Sequence, residues 1–154
     1  MSYVKSVLQA DEQIRYFTNI HWIIYVPGVA LLVVAALVYG FALREEGGRP
    51  LWMAIAGVLA VLAALTLFQA WFRRFTTEIA VTNRRIIYKR GFISRDTIEM
   101  QMDKVESVDV QQSVGGRILG YGDILIRGVG VGIEPLKNID SPIEFRNHVT
   151  GEQR

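Results

Sequence analysis

The sequence predicts a two-helix transmembrane hairpin followed by one small, mainly-β domain that a C-terminal helix closes. Two stretches, Trp22 to Leu43 and Leu51 to Phe72, contain no Asp, Glu, Lys or Arg. Each supplies the roughly 20 apolar residues that a helix needs to cross about 30 Å of hydrocarbon. Beyond Phe72 the pattern changes: charges return, β-branched residues alternate with polar ones, and Gly and Asn punctuate short runs. Near the end, Ser141-Pro142-Ile143-Glu144 combines a capping Ser, a Pro at the first helical position and a Glu at the third, the signature of a helix start.

Of the 154 residues 51% are hydrophobic, but these concentrate in the first half, so the average hides two environments. Residues 1–20 form an N-terminal lead-in, 21–72 the hairpin, and 73–154 a single domain. A domain of that size buries about 60% of the surface its unfolded chain exposes, so its independent stability is marginal. The absence of cysteine excludes a disulfide framework and a Cys-ligated metal. A net charge of +2 is too small to act globally, but its placement is uneven. Arg73, Arg74, Arg84, Arg85, Lys89, Arg90 and Arg95 crowd the chain after the second stretch, Lys5 and Arg15 precede the first, and Arg44 and Arg49 lie between. Basic residues are retained on the cytoplasmic face, so both termini are expected in the cytoplasm and Arg44 to Pro50 outside a bacterial inner membrane. The first stretch is too long and too far from the N-terminus for a secretory signal, which predicts a retained, multi-pass anchor.

The lead-in, Val4 to Ile20, mixes Leu8, Ile14, Tyr16 and Phe17 with charges and reads as an interfacial or packed segment. Trp22, Trp52 and Trp71 mark span ends, where an indole finds apolar surroundings for its ring and a partner for its N–H. Pro27-Gly28 removes a backbone donor and weakens one turn, predicting a kink early in the first span. Small residues recur at four-residue spacing, Ala36 and Gly40 in the first span and Ala56, Ala60 and Ala64 in the second. Lipid tails are as apolar as Leu, so such stripes favour close helix packing, either within one hairpin or between protomers. Neither span carries an ionisable residue, which argues against a proton relay, ion pathway or transport site.

In the soluble half, Thr76 to Thr82 and Arg85 to Lys89 are strand-like runs joined at Asn83-Arg84, a plausible tight turn because Asn tolerates positive φ. The stretch Phe92 to Met102 alternates Ile98, Met100 and Met102 with Glu99 and Gln101, as a half-buried strand does. Val105, Val108 and Val110 give another strand with a break in the alternation, and Tyr121 to Arg127 and Val129 to Leu136 supply two more. Phe145 and Val149 share one face of the terminal helix, and Gly151 is its stop. Short antiparallel strands closed by one helix suggest a small sandwich or partly open barrel.

The chain resembles the bacterial pleckstrin-homology-like membrane proteins, the YdbS-like family. The resemblance is carried by Leu8 and Glu12 before His21-Trp22, Pro27, Val81-Thr82-Asn83-Arg84-Arg85-Ile86-Ile87-Tyr88 with Arg90-Gly91, Ile98-Glu99, Lys104-Val105-Glu106-Ser107-Val108, Gly116-Arg117-Ile118-Leu119-Gly120-Tyr121-Gly122, and the Glu144-Phe145 helix start. It implies a pleckstrin-homology-like fold, two orthogonal antiparallel sheets of about seven strands with a C-terminal helix, against the six strands that alternation alone supports.

No catalytic site emerges. Gly128-Val129-Gly130-Val131-Gly132 lies between strand-like runs and opens no helix, so it does not fit a dinucleotide fingerprint, and Gly116 to Gly122 lacks the Lys-Ser/Thr of a phosphate loop and reads as a turn. His21 and His148 lie far apart in sequence, and Glu99, Asp103, Glu106 and Asp109 have no accompanying His. The expectation is a non-catalytic protein with no cofactor, no metal and no nucleic-acid partner. Its candidate contacts with lipid or a partner are Arg73, Arg74, Arg84, Arg85, Lys89 and Arg90, near enough to the second span for anionic headgroups to act on them. Arg73 and Arg74 have the alternative role of topology determinants, and Arg84-Arg85 that of a solvated turn. The partners expected are membrane lipids, and a second copy or another membrane protein in a structural assembly.

Overall fold

The computed structural model describes residues 4, 7–9, 11–44, 47–91, 96–129 and 135–151. The chain divides into two compact units: Trp22–Phe72, and a second unit built from Met1–His21 together with Arg73–Arg154.

The first unit is helical. A 3-10 turn, Trp22–Tyr25, leads into α1 (Val26–Ala42), and α2 begins at Arg49 and runs to Thr76. Pro27 falls in the first turn of α1. Its missing N–H has no intrahelical partner to lose there, so the Pro stands where the 3-10 turn passes into the α-helix. The helical segments Trp22–Ala42, which includes the 3-10 turn, and Arg49–Thr76 are both long and apolar enough to cross a membrane. A core helix of a soluble protein would be mostly buried, whereas only 11% of each apolar window is.

Within this unit the buried small residues are Gly28, Ala35 and Ala42 on α1 and Ala56 and Ala63 on α2, seven apart on each helix. The two helices meet at Gly28, where an added Cβ would stand 2.7 Å from the Leu67 side chain, and at Phe41, whose ring lies edge-on to Trp52. Of the four-spaced stripes, Ala56 alone is buried; Ala60 is half-buried, and Ala36, Gly40 and Ala64 are exposed.

The second unit carries two antiparallel sheets. Strands β1 (Ile14–Thr18), β2 (Glu78–Thr82), β3 (Arg85–Arg90) and β4 (Asp96–Gln101) form one in sequential order; β5 (Val105–Gln111), β6 (Tyr121–Gly128) and β7 (Leu136–Asp140) form the other. The seven described strands and the closing helix α4 (Pro142–Gly151) make a pleckstrin-homology-like architecture. Period-two burial is clear on β6, where Gly122, Ile124 and Ile126 point inward, and the expected break in β5 is a register shift between Val105 and Ser107. The core joins Ile79, Val81 and Ile86 to Val108, Ile124, Ile126 and Ile139, with Phe145 and Val149 of α4 filling it from the predicted face. Ser141, at φ +47°, stands before α4 in the left-handed region rather than in the extended conformation usual for a capping Ser.

Three features differ from the sequence reading. The lead-in, expected as an interfacial or packed segment of its own, is packed and is part of the domain: β1 pairs with β2 from Ile14 opposite Thr82 to Thr18 opposite Ile79, and Ile20 bridges to Ile139. Val4 and Ile14 also pack on Ala80 and Ile87, so β2 and β3 are covered on both faces. The last strand starts at Leu136, where the sequence reading ended it, and most of the glycine-rich run before it lies outside the described residues. Finally, the presumed turn contains a short helix, α3 (Val114–Leu119), with Ser113 Oγ accepting from Gly116 N at 3.1 Å and Gly120 ending it at φ +79°. Gly116 and Gly122 are held to glycine by close approach: a Cβ on Gly116 would meet the Tyr121 carbonyl oxygen at 2.6 Å, and one on Gly122 would meet that of Gln111 at 2.8 Å.

Candidate functional site

The basic residues separate into two groups at opposite ends of the four-stranded sheet. β1 ends at Thr18 and β2 begins at Glu78, where the chain leaves for and returns from the helices; β3 ends at this same end with Lys89 opposite Glu78. The turn at Thr82, Asn83, Arg84 and Arg85 lies at the other end, about five strand residues or 17 Å away. It joins β2 to β3; the connection between β1 and β2 is the helical unit itself.

At that far turn, Thr82 Oγ1 accepts from the backbone N–H groups of Arg84 and Arg85 at 3.2 and 3.0 Å, and its hydroxyl donates to Glu12 Oε1 at 2.7 Å. Asn83 Oδ1 accepts from Gln13 N at 3.0 Å, and its amide donates to the Asp11 carbonyl. Arg85 grips Glu12 with two bonds, Nε to Oε1 at 2.9 Å and Nη2 to Oε2 at 2.7 Å, and donates from Nη1 to Glu99 at 2.7 Å. Such bidentate, charge-assisted pairs are among the stronger polar contacts. Burial of Glu12 pushes its carboxyl pKa up, but the bonds from Arg85, the Gln9 N–H and the Thr82 hydroxyl outweigh burial and hold it down at about 2. The hydrogen bonds to Glu12 correspondingly hold the Arg85 pKa above its ordinary value.

Arg85, with a side chain only 16% exposed and two carboxylates against it, is therefore neither a solvated turn nor an open cation. It fastens the lead-in to the sheet. Arg84 is 52% exposed, reaching Gln9 and lying 3.8 Å from Asp11. An exposed pair of that kind contributes at most about 1 kcal/mol.

The second group converges. A cavity of about 440 Å³ opens at the end of the sheet where the chain passes to the helices. Arg73, Arg90 and Lys137 supply its cations, Thr77 and Tyr88 polar atoms, and Ile20, Leu136 and Ile139 apolar wall. All three cations are exposed, and none forms an ion pair among the described residues. Arg73 sits in the last turn of α2, where the helix dipole favours a cation, and its carbonyl accepts from Thr77 Oγ1 at 2.8 Å. Asp96 lies across the ladder from Arg90 but does not line the cavity. The arrangement suits a phosphate-bearing anion: a guanidinium presents a planar fork of donors, and an ammonium a compact charge.

Of the sequence candidates, Arg73 and Arg90 meet here, Arg74 and half-buried Lys89 flank without lining, and Arg84 and Arg85 stand at the far end. Lys137 was missed. The alternation of Leu136, Lys137, Asn138 and Ile139 was a local signal for a strand, but only the tertiary fold places Lys137 on the same cavity as Arg90. Among the described residues no group of three or more His, Cys, Asp or Glu side chains is placed to hold a metal ion.

A family model described as Bacterial PH domain matches residues 20–153, most of the chain; β1 precedes the matched segment. No curated protein and no solved structure matches.

Proposed function

The chain belongs to the bacterial PH domain family, and from that premise we propose that it is a non-catalytic integral protein of the bacterial inner membrane. On this reading α1 and α2 cross the bilayer, both termini are cytoplasmic, and the PH-like domain binds anionic lipid headgroups at the cytoplasmic surface. The observation that carries the reading is the cavity of Arg73, Arg90 and Lys137, three cations without carboxylate partners among the described residues, at the end of the sheet that continues into the apolar helices. Near an anionic surface each such residue contributes roughly 1 kcal/mol, and only residues within about a Debye length, near 8 Å, count. That geometry favours Arg73 and Arg90 over Arg84.

Native mass spectrometry of the full chain in neutral detergent, with short-chain phosphatidylglycerol or phosphatidylcholine added, tests this. The parent retains phosphatidylglycerol in preference. Arg90→Gln combined with Lys137→Gln removes about 2 kcal/mol, roughly a 30-fold loss of affinity. Both residues are exposed, so the fold should change by less than about 0.5 kcal/mol. Arg84→Gln retains the parent's preference. Equal adducts in all three proteins would overturn headgroup binding at the cavity. A second reading, self-association through the hairpins, is favoured by the exposure of Ala36, Gly40 and Ala64 outside the seam between the two helices of one hairpin. The same spectra report it as a mass of more than one chain.

A further inference from the structure

The helix α3 is amphipathic in the reverse of the usual sense. Its buried residue is Gly116, pressed so closely on the Tyr121 carbonyl that no Cβ fits, while Val114 is 78% and Ile118 80% exposed. These two stand four residues apart and so share one face, with Leu119, also exposed, beside them. Ile143, exposed in the first turn of α4, lines a groove together with Arg117 and Gly120 of the α3 segment. Single exposed apolar residues need no explanation, but a rigid helix that spends its contact face on glycine and turns branched residues outward presents a patch built to be covered.

What covers it is indicated by where α3 is anchored. Tyr121, two residues past its end, stacks on His21 with ring centroids 5.3 Å apart. His21 is itself fixed to β7, its N–H donating to the Asn138 carbonyl at 2.7 Å, and the next residue, Trp22, opens the apolar helical segment. The patch is therefore tied to the point at which the chain leaves the domain for its membrane-spanning segment. Arg117, exposed on the same short helix and without an ion pair among the described residues, adds a cation whose stem can lie along apolar surface while its head reaches a phosphate.

We propose that the Val114 and Ile118 face of α3 beds into the interfacial layer of the bilayer, as a second, non-spanning contact of the domain with lipid. It rests on the membrane-spanning reading of α1 and α2, and is independent of the cation cavity. Its occupant is the lipid itself, because α3 is tied through the stack of Tyr121 on His21 to the residue that immediately precedes the first span.

The chain has no cysteine, so a single introduced one takes an environment-sensitive fluorophore at a unique place. Ile118→Cys, Leu37→Cys on the exposed face of α1, and Asp103→Cys at the far end of the domain are labelled in the full chain and reconstituted into phosphatidylglycerol-containing vesicles. A face buried about 5–10 Å into the boundary places the Ile118 label within reach of acyl chains brominated near the headgroup, and its emission falls roughly two-fold or more. The Leu37 label is quenched by bromines deeper in the chain, and the Asp103 label by neither. Quenching at Leu37 with none at Ile118 overturns the proposal alone; no quenching at Leu37 overturns the spanning reading beneath it. A blue-shifted but unquenched Ile118 label means that a second copy or another protein covers the face, and also overturns it.

Discussion

A chain trimmed to residues 73–154 should show no cooperative unfolding transition, whereas Met1–His21 joined by a short Gly/Ser linker to Arg73–Arg154 should unfold cooperatively. The trimmed chain loses β1, which pairs along β2. It also loses the Tyr16 ring, which meets Phe145 edge-on and stacks on His148, and with it one of the links from the sheet to α4. The Thr18 hydroxyl no longer donates to the Asp140 carbonyl, at 2.9 Å in the intact unit, and Asp140 N loses the Asn19 carbonyl. Each lost hydrogen bond costs about 1 kcal/mol, and Arg85 deprived of Glu12 costs roughly 3–5 kcal/mol. Against a total of about 5–15 kcal/mol for a small domain, the sum removes most or all of the stability. Urea titrations followed by circular dichroism decide the matter; equal midpoints for the two proteins would show that β1 is dispensable.

The second large effect is local to Glu12. In the linked domain, Glu12→Gln should lower stability at neutral pH by about 3 kcal/mol, because the buried Arg85 loses its principal counter-charge. The same size follows from titration. The Glu12 carboxyl, at about 2 in the folded protein against an ordinary value of 4.5, binds its proton less readily when folded than when unfolded. The unfolded chain therefore takes up the proton first. The stabilisation is complete above about pH 4.5 and is lost as the pH falls toward 2, and integrates to roughly 3 kcal/mol. The difference between parent and Glu12→Gln should shrink across that window to about 0.4 kcal/mol near its lower limit, where the parent carboxyl is half neutralised. Unfolding midpoints measured from pH 7 to pH 2 follow this directly. A difference that stays constant with pH would mean that the carboxylate charge is not what holds Arg85.

The helical hairpin and most strands were legible in the sequence because their signals are local. An uninterrupted apolar run, or alternation such as Ile98, Met100 and Met102, needs no knowledge of the partner. β1 was hidden because its partner, β2, lies beyond the whole helical unit, and five residues carrying Arg15 do not by themselves declare a strand. The role of Arg85 was hidden for the same reason, its counter-charge being 73 residues away. The helix seam was missed more narrowly. In the pairs Ala35-Ala36 and Ala63-Ala64 the buried residue is the first, and the four-residue rule selected the second; adjacent alanines give periodicity nothing to discriminate. α3 is too short to show a helical period, and its glycines read as a turn until their close approach to the sheet is seen. The pleckstrin-homology-like fold, by contrast, was reached through the family resemblance, which carried the seventh strand that alternation did not.

Because β1 and β2 lie in one sheet, both flanks of the helical unit must be on the same side of any membrane that the helices cross. Accessibility of single cysteines in intact cells tests this most directly, again exploiting the absence of native cysteine. With Gln13→Cys before the helices, Gly47→Cys between them and Asp103→Cys after them, all at exposed positions, a membrane-impermeant maleimide applied to spheroplasts should label Gly47→Cys alone. The other two should react only after lysis. Labelling of Gln13→Cys and Asp103→Cys with protection of Gly47→Cys would reverse the orientation, and labelling of one flank without the other would contradict a domain closed across a membrane hairpin.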